Sequence, residues 1–244
     1  VLKLAERIYG IFGLGFLLEL STRPEKSIGT DEQWAVATEG LRAALEAYGA
    51  DYRLNEGDGA FYGPKIGLHI EDALGRTWQC GTIQLDMSLP ERFDLGYIDR
   101  DNERRRPIMI HRTIFGSIER FFGILIEHFT GKFPLWMAPV QAVILPINDE
   151  LTPSAEKLSS LLAAAGLRIT VDTRTESLNK KIREAQLANI PLILTFGAKE
   201  MESGNLSVRT LDVKVTMGVP RETFLAVVKG DIEKRALDLN PDFS

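Results

Sequence analysis

Apolar residues recur with two different periods along this chain, and the change of period divides it into halves. In the first half they fall at every second position over residues 66–72 and 77–86, and the short turn between these runs predicts a β-hairpin. In the second half, apolar runs alternate with helical periods, a rhythm typical of parallel sheets. The pattern predicts an α/β (α+β) fold, in which a largely antiparallel sheet with helices precedes a three-layer α/β domain with a mixed sheet.

The first half contains two longer helical periods. One predicts a helix over about 31–48, with Asp31 as its N-cap and Gly49 as its end. The other follows a predicted strand at 108–111 and runs from residue 116 to residue 131. Helices therefore flank the predicted hairpin on both sides along the chain.

The second half predicts a β-α-β-α-β series, then a hairpin and a closing helix. Strands are expected at 140–147, 168–172 and 191–197, and helices between them at 154–165 and 178–188. The hairpin is expected at 206–217 and the last helix at 221–237. Two prolines between residues 133 and 139 interrupt the pattern. We place the domain boundary there, which gives domains at 1–136 and 137–244.

Composition narrows the class of protein without fixing its chemistry. With 244 residues, 44% hydrophobic and 26% charged, the chain is typical of soluble globular proteins, and no run approaches the ~20 apolar residues that cross a bilayer. A single cysteine excludes an internal disulfide and fits a reducing, cytoplasmic setting. The net charge of −5 argues against nonspecific DNA binding but leaves room for a local RNA-binding patch.

The segment from Arg106 to Glu127 carries the strongest chemical signal. A strand-like run ends at His111, a Gly-Ser turn follows, and Arg120 lies in the first turn of the next helix. The unpaired N–H groups of a helix start suit a phosphate, and a guanidinium can fork onto phosphate oxygens or stack on a base. This order favours a nucleotide site.

Two further segments leave a surface role and a ligand-binding role open. Glycines interleave with Phe61 and Tyr62 over residues 57–65, which fits either a surface loop or the wall of a site. Gln79 and Gln84 interrupt a predicted strand with amides, as in a lined pocket. A lone histidine on a strand is more often structural, so spacing alone predicts no zinc site at His111.

Several short motifs resemble one family of class II aminoacyl-tRNA synthetases, the threonyl-tRNA synthetases. They are Leu-Ser-Thr-Arg-Pro-Glu-Lys at 20–26, Gly-Ala-Phe-Tyr-Gly-Pro-Lys at 59–65, Trp-Gln-Cys-Gly-Thr at 78–82, Asp-Asn-Glu-Arg at 101–104, and the third class II signature around Arg120. The resemblance runs to about residue 237. It implies part of the class II antiparallel catalytic core followed by an anticodon-binding domain.

The resemblance implies an ATP-dependent ligase that activates L-threonine as threonyl-adenylate and transfers it to tRNA(Thr), as a homodimer in the complete enzyme. The first and second class II motifs have no counterpart here, and the chain starts at Val1 inside a predicted helix. We therefore expect a C-terminal fragment that is inactive alone. Two alternatives remain, a truncated paralogue that binds tRNA without catalysis and a relative that uses this fold on another substrate.

The family roles transfer onto individual positions. They assign catalysis to Arg120 and Lys65, ATP binding with Mg²⁺ to Gln79, Thr82 and Arg120, and substrate binding to Tyr62, Gln84 and Ser117. His111 matches one ligand of a zinc ion (Zn²⁺) that holds the amino and hydroxyl groups of threonine. The other two ligands, a cysteine and a histidine, would lie upstream of this chain.

The second half resembles the anticodon-binding domain shared by the threonine, proline, histidine and glycine enzymes. Glu200 and Arg209 match positions that read anticodon bases, since a carboxylate accepts from amines and an arginine can fork onto a base edge. Lys180, Lys181 and Arg183 begin a helix with positive charge. That charge fits either RNA phosphates or a solvated helix face.

Overall fold

The structure is a computed structural model that describes residues 1–243, and it forms two compact units. Unit 1 is Val1–His128 and unit 2 is Phe129–Ser244. The division falls earlier in the chain than the boundary we placed between residues 136 and 137. Among the described residues, no helix combines the length and the apolar character needed to cross a bilayer.

A five-stranded sheet with the order β2-β1-β3-β4-β7 forms the centre of unit 1. Its strands are β1 (Leu17–Ser21), β2 (Tyr52–Asn55), β3 (Lys65–Glu71), β4 (Thr77–Asp86) and β7 (Met109–Thr113), and β5 (Tyr97–Ile98) and β6 (Arg104–Arg105) form a separate small hairpin. The β3–β4 hairpin is confirmed. Only β1 and β2 pair in parallel within this sheet, and the remaining pairs are antiparallel.

Four helices complete unit 1, namely α1 (Leu2–Ile11), α2 (Asp31–Tyr48), α3 (Ser88–Arg92) and α4 (Ile118–His128). The predicted helix over 31–48 is confirmed, but Asp31 is not its cap. Thr30 has an extended backbone, its hydroxyl accepts from the Gln33 N–H, and the Gln33 side chain accepts from the Thr30 N–H. This reciprocal capping box leaves Asp31 as the first helical residue.

The two faces of the unit 1 sheet differ in polarity, because successive strand residues point to opposite sides. Ile66, Leu68 and Ile83 are buried on one face, and β3 contacts α2 there. The other face carries Lys65 opposite Gln84 across the β3–β4 pair. We call this second side the polar face.

The turn between β3 and β4 is held by one buried carboxylate. Asp72 accepts hydrogen bonds from the backbone N–H groups of Leu74 and Arg76 at 2.9 Å each. It also accepts from Arg76 Nε at 2.6 Å and from Trp78 Nε1 at 2.8 Å. Burial opposes the charged form, yet these donors hold the pKa of Asp72 well below its ordinary value. The clamp fixes the start of β4, from which the candidate site begins.

Unit 2 has a mixed sheet with the order β12-β11-β10-β8-β9. Its elements are β8 (Ala142–Pro146), a 3-10 turn (Asp149–Leu151), α5 (Thr152–Ala164), β9 (Ile169–Val171), α6 (Leu178–Leu187), β10 (Leu192–Phe196), α7 (Ala198–Ser203), β11 (Leu206–Arg209), β12 (Val215–Val219) and α8 (Arg221–Lys234). The parallel pairing of β8 with β9 and β10 is confirmed, as is the β11–β12 hairpin.

Helices cover both faces of the unit 2 sheet, which confirms the three layers. Ile144 packs in one apolar cluster with Leu158 of α5 and Phe224 of α8. Its neighbour Leu145 packs on the other side with Ala185 of α6. Since β8 is buried along its whole length, it reads as the continuous apolar run that central parallel strands require.

Candidate functional site

Residues from three strands lie side by side on the polar face of unit 1. Lys65, Gln84 and His111 stand opposite one another across β3, β4 and β7. Thr82 lies two residues before Gln84 on β4, and therefore on the same side. The structure thus brings together four predicted site residues that are distant in sequence.

A glycine turn places the first turn of α4 against β4. Gly116 has a φ of +63°, and a Cβ built on it would lie 2.8 Å from the Cys80 carbonyl oxygen. Only glycine combines this left-handed backbone with so close an approach. Ser117 then caps the helix, because its hydroxyl oxygen accepts from the Arg120 N–H at 3.3 Å. Ser117 is therefore engaged in local structure.

Arg120 lies over the start of β4 with neutral partners. Its Nη1 donates to the Gln79 carbonyl at 3.3 Å, and its guanidinium carbon is 5.6 Å from the centre of the Trp78 ring. Within residues 1–243 it forms no ion pair with a carboxylate. A cation that is ordered but not neutralised is suited to an anionic ligand such as a phosphate.

Gln79 and Thr82 form a polar pair beside this cation. Gln79 Nε2 donates to Thr82 Oγ1 at 2.9 Å. The neighbouring position on β3 is Gly67, where an added Cβ would lie 3.3 Å from Gln79 Nε2 and 2.9 Å from His69 Nε2. The bare backbone at Gly67 therefore leaves room for both side chains on the polar face.

Lys65 differs from Arg120 because its charge is compensated. Its Nζ lies 3.0 Å from Asp58 Oδ2, and Ser21 donates to the same carboxylate oxygen at 3.2 Å. The hydrogen bond from Lys65 is the main cause that lowers the pKa of Asp58. Lys65 must exchange this partner before it can meet a substrate carboxylate. The sequence analysis did not single out Asp58.

His111 is paired with Asp86, a second residue that the sequence analysis missed. His111 Nε2 lies 2.9 Å from Asp86 Oδ2, and the Tyr62 ring contacts the imidazole edge-on at 6.3 Å between centroids. Burial opposes ionisation of Asp86, but hydrogen bonds from the Leu89 and Ser88 N–H groups and from His111 lower its pKa. The sequence could have indicated Asp86, because it lies two residues after Gln84 on the same strand and therefore on the same face of the sheet.

The described residues do not form a complete metal site of their own. Residues 1–243 contain no cluster of three or more His, Cys, Asp or Glu side chains that could hold a metal ion. Asp86 is occupied by its own partners, whereas His111 is 38% exposed and has one ring nitrogen free. His111 thus fits the role of one ligand, and the others would have to come from outside this chain.

In unit 2 the two predicted base-reading residues lie near opposite ends of β10. Glu200 is just beyond its carboxyl end, where Glu200 Oε2 accepts from the Gly197 N–H at 2.9 Å. Arg209 on β11 pairs with Ile193 near the other end. Arg209 Nε is buried and has no hydrogen-bond partner among the described residues. A buried donor without a partner is uncommon in folded proteins, and the Arg209 side chain as a whole is half-buried.

Three basic residues were predicted to give the start of α6 an exposed positive charge, and for one of them the prediction is wrong. Lys181 is only 3% exposed, and its Nζ donates to the Asp172 carbonyl at 3.1 Å, so it supports the fold of unit 2. Lys180 pairs with Glu176 at 2.6 Å. Of the three, Arg183 alone is exposed without an ion pair among the described residues.

Comparisons with known proteins agree with this two-unit arrangement. Residues 1–129 match the family described as tRNA synthetase class II core domain (G, H, P, S and T), and residues 141–231 match an anticodon binding domain. A solved structure of the RNA binding domain of threonyl-tRNA synthetase from Cryptosporidium parvum Iowa II has a TM-score of 0.85 and 38% identity. That alignment covers 97% of this chain and 59% of the other.

Curated relatives are more similar in sequence. Threonine–tRNA ligases from Desulfosudis oleivorans and Desulforapulum autotrophicum are each 68% identical, over 96% and 98% of this chain. The chain spans about 37% of the length of these relatives. Because the core family matches residues 1–129 of 244, more than half of the sequence, the chain belongs to the class II tRNA synthetase core family (G, H, P, S and T).

Proposed function

We propose that this chain is part of a threonine–tRNA ligase, which activates L-threonine with ATP and transfers the aminoacyl group to tRNA(Thr). The observation that carries the proposal is Arg120, a cation without a carboxylate partner among the described residues, which is held against the Gln79 carbonyl and the Trp78 ring at the start of β4. The identity of 68% to ligases of that name supports the choice of threonine. That the complete enzyme is a homodimer located in the cytoplasm stays a prediction.

The adenylation step depends mainly on positioning and on charge. A threonine carboxylate must lie in line with the ATP α-phosphate, and the negative charge of the departing pyrophosphate must be stabilised. Arg120 supplies that charge, with Gln79 and Thr82 as hydrogen-bonding neighbours and Mg²⁺ accompanying the nucleotide. Lys65, released from Asp58, would meet the carboxylate of the amino acid.

The amino-acid side of the site lies along the row of Lys65, Gln84 and His111. Tyr62 contacts His111, and we assign both residues to binding of the threonine amino group. A zinc ion held by His111 and by ligands outside this chain would bind the threonine amino and hydroxyl groups. Valine lacks the hydroxyl and would leave that position unfilled.

Unit 2 is proposed to bind the anticodon of tRNA(Thr). The half-buried guanidinium of Arg209 suits a base edge, and Glu200 keeps one carboxylate oxygen beyond its bond to Gly197. A module that only holds tRNA would need unit 2 alone, whereas the ordered polar face of unit 1 favours the catalytic function.

The test is Arg120→Ala in the full-length protein that carries this sequence. We expect threonine-dependent ATP–pyrophosphate exchange to fall by ~10²–10³, which is typical for the loss of one electrostatic donor. Arg112→Ala is the matched control, because Arg112 is exposed on β7 and pairs with Ile83, on the side away from His111. Equal exchange rates in the Arg120 and Arg112 variants would reject the proposed role.

A second measurement tests how much this chain can do alone. The purified chain of 244 residues should show no threonine-dependent exchange, since it supplies one zinc donor and lacks the second class II motif. Exchange above the background without enzyme would contradict this expectation.

A further inference from the structure

Asp86 is a carboxylate with no freedom to turn. Its side chain is 2% exposed. One oxygen accepts from the backbone N–H groups of Ser88 at 2.8 Å and Leu89 at 3.0 Å. The other oxygen lies 2.9 Å from His111 Nε2. Both oxygens are committed, and the start of α3 fixes their direction.

This arrangement decides which nitrogen of His111 carries the proton. An ionised carboxylate can only accept hydrogen bonds, so the Nε2 atom beside it must be the donor. A neutral imidazole has a single N–H, which leaves the lone pair on Nδ1. No residue among 1–243 donates to that Nδ1, and the His111 side chain is 38% exposed. The ring therefore offers one fixed electron pair to a ligand.

We propose that Asp86 is a positioning residue that locks His111 in the Nε2–H tautomer and thereby presents Nδ1 as the metal-binding atom. Metal-bound histidines generally donate their other N–H to a carboxylate or carbonyl, and loss of that partner typically weakens metal binding by ~10–100-fold. The inference deepens the proposed function and rests on it for zinc as the ligand. The tautomer itself rests on the geometry of this chain alone.

A simple structural ion pair would behave differently. A pair of that kind requires a protonated imidazole, with N–H groups on both nitrogens, and would leave no lone pair for a metal. The positioning role requires a neutral ring with its proton on one defined nitrogen. The two roles therefore differ in a property that can be measured without any metal.

The first experiment is long-range proton–nitrogen NMR on the 244-residue chain at pH 8, above the ordinary histidine pKa of about 6.5. The chain has three histidines, and His111→Gln assigns the relevant signals. We expect a pyrrole-type Nε2 and a pyridine-type Nδ1 at His111. Asp86→Ala should mix the two tautomers. A pyridine-type Nε2, or a doubly protonated ring, in the unmutated chain would overturn the inference.

The second experiment measures zinc affinity of the full-length protein by competition with a chromophoric chelator. Asp86→Ala should lose ~10–100-fold in affinity. Asp86→Asn keeps an oxygen for the Ser88 and Leu89 N–H groups and serves if the alanine variant does not fold. Asp58→Ala is the control, since it removes a carboxylate whose partners are Lys65 and Ser21.

The outcomes separate the two proposals. If the unmutated full-length protein binds no zinc, the proposed metal is wrong, and the NMR result still decides the tautomer. If it binds zinc and Asp86→Asn, Asp86→Ala and Asp58→Ala all bind equally tightly, Asp86 has no positioning role. A loss at position 86 alone, together with the expected tautomer, supports the inference.

Discussion

In unit 1 the buried charged side chains are carboxylates, whereas in unit 2 the buried charge is an ammonium. Glu19, Asp72 and Asp86 are each less than 8% exposed, and Lys181 is 3% exposed. Each carboxylate of unit 1 has a more exposed partner of opposite or titratable charge. These partners are Arg53, Arg76 and His111 respectively.

The difference shows two uses of a buried charge. In unit 1 each acid binds a more exposed side chain, as Asp86 does with His111, and Asp72 and Asp86 also accept hydrogen bonds from backbone N–H groups. In unit 2 Lys181 donates to the backbone carbonyl of Asp172 and so fixes the path of the chain. Breaking a buried charge interaction is costly in both cases, because the remaining group is left without solvent. The functional consequence differs, since only unit 1 would lose the orientation of surface groups.

The largest expected effect is the response of unit 1 to acid. Burial opposes the charged forms of Glu19, Asp72 and Asp86, but their hydrogen bonds lower all three pKa values. Their stabilisation is therefore complete above the ordinary pKa of about 4 and is lost as the pH falls through the folded pKa values. Thermal unfolding at pH 7 and pH 3 should show the larger fall in unit 1.

Unit 2 provides the internal reference for this measurement. The hydrogen bond from Arg174 lowers the pKa of Asp172, while burial raises that of Asp231, so their acid responses partly cancel. Trp34 and Trp78 report on unit 1 and Trp136 on unit 2 by fluorescence, once the tryptophans of the other unit are replaced. Asp72→Asn should reduce the acid sensitivity of unit 1, and an unchanged pH profile would contradict the role of the turn clamp.

A smaller effect is expected at Lys181. Lys181→Ala should destabilise unit 2 by ~1–3 kcal/mol, because the Asp172 carbonyl loses a buried charged donor. Lys180→Ala removes only an exposed pair with Glu176 and should change stability much less. Chemical denaturation of both variants measures the contrast. Equal losses would mean that burial does not distinguish the two lysines.

The smallest expected effect concerns RNA selectivity of unit 2. Arg209→Ala should reduce discrimination between matched and mismatched threonine anticodon stem-loops by about tenfold, or ~1.4 kcal/mol, since a base-edge contact is lost. Arg183→Ala should weaken both RNAs alike, as expected of a phosphate contact. Titrations at two salt concentrations test this. Equal binding of both stem-loops by the unmutated chain would remove the anticodon-reading role.

The sequence predicted the elements whose period was long and regular. The β3–β4 hairpin, the helix over 31–48 and the parallel strands of unit 2 all follow from it. The pattern did not reveal β2 (Tyr52–Asn55), because this four-residue edge strand has no buried residue to mark a period. Lys181 carried a readable signal, since it shares a helical face with Leu178 and Ala185, both packed against the sheet.

The site was harder to predict than the fold. Motif resemblance named His111 and Arg120, but their partners depend on strand register. Asp86 and His111 are 25 positions apart with a small helix and a hairpin between them, so nothing local fixes their pairing. Charge compensation is equally invisible in sequence. Lys65 and Arg120 are both candidate cations, and only three-dimensional contacts show that one is neutralised.

The close approach at Gly116 has a consequence for reading mutational tolerance. A Cβ at this position would overlap the Cys80 carbonyl, so every replacement displaces the start of α4. Arg120 would then move away from Gln79, although residue 116 itself has no side chain to offer a ligand. In a library that contains every substitution at each position, activity would fall at residue 116 as strongly as at a residue that contacts the ligand. Intolerance here measures a distance between two backbones, and a map of binding residues drawn from such scores would contain a residue that binds nothing.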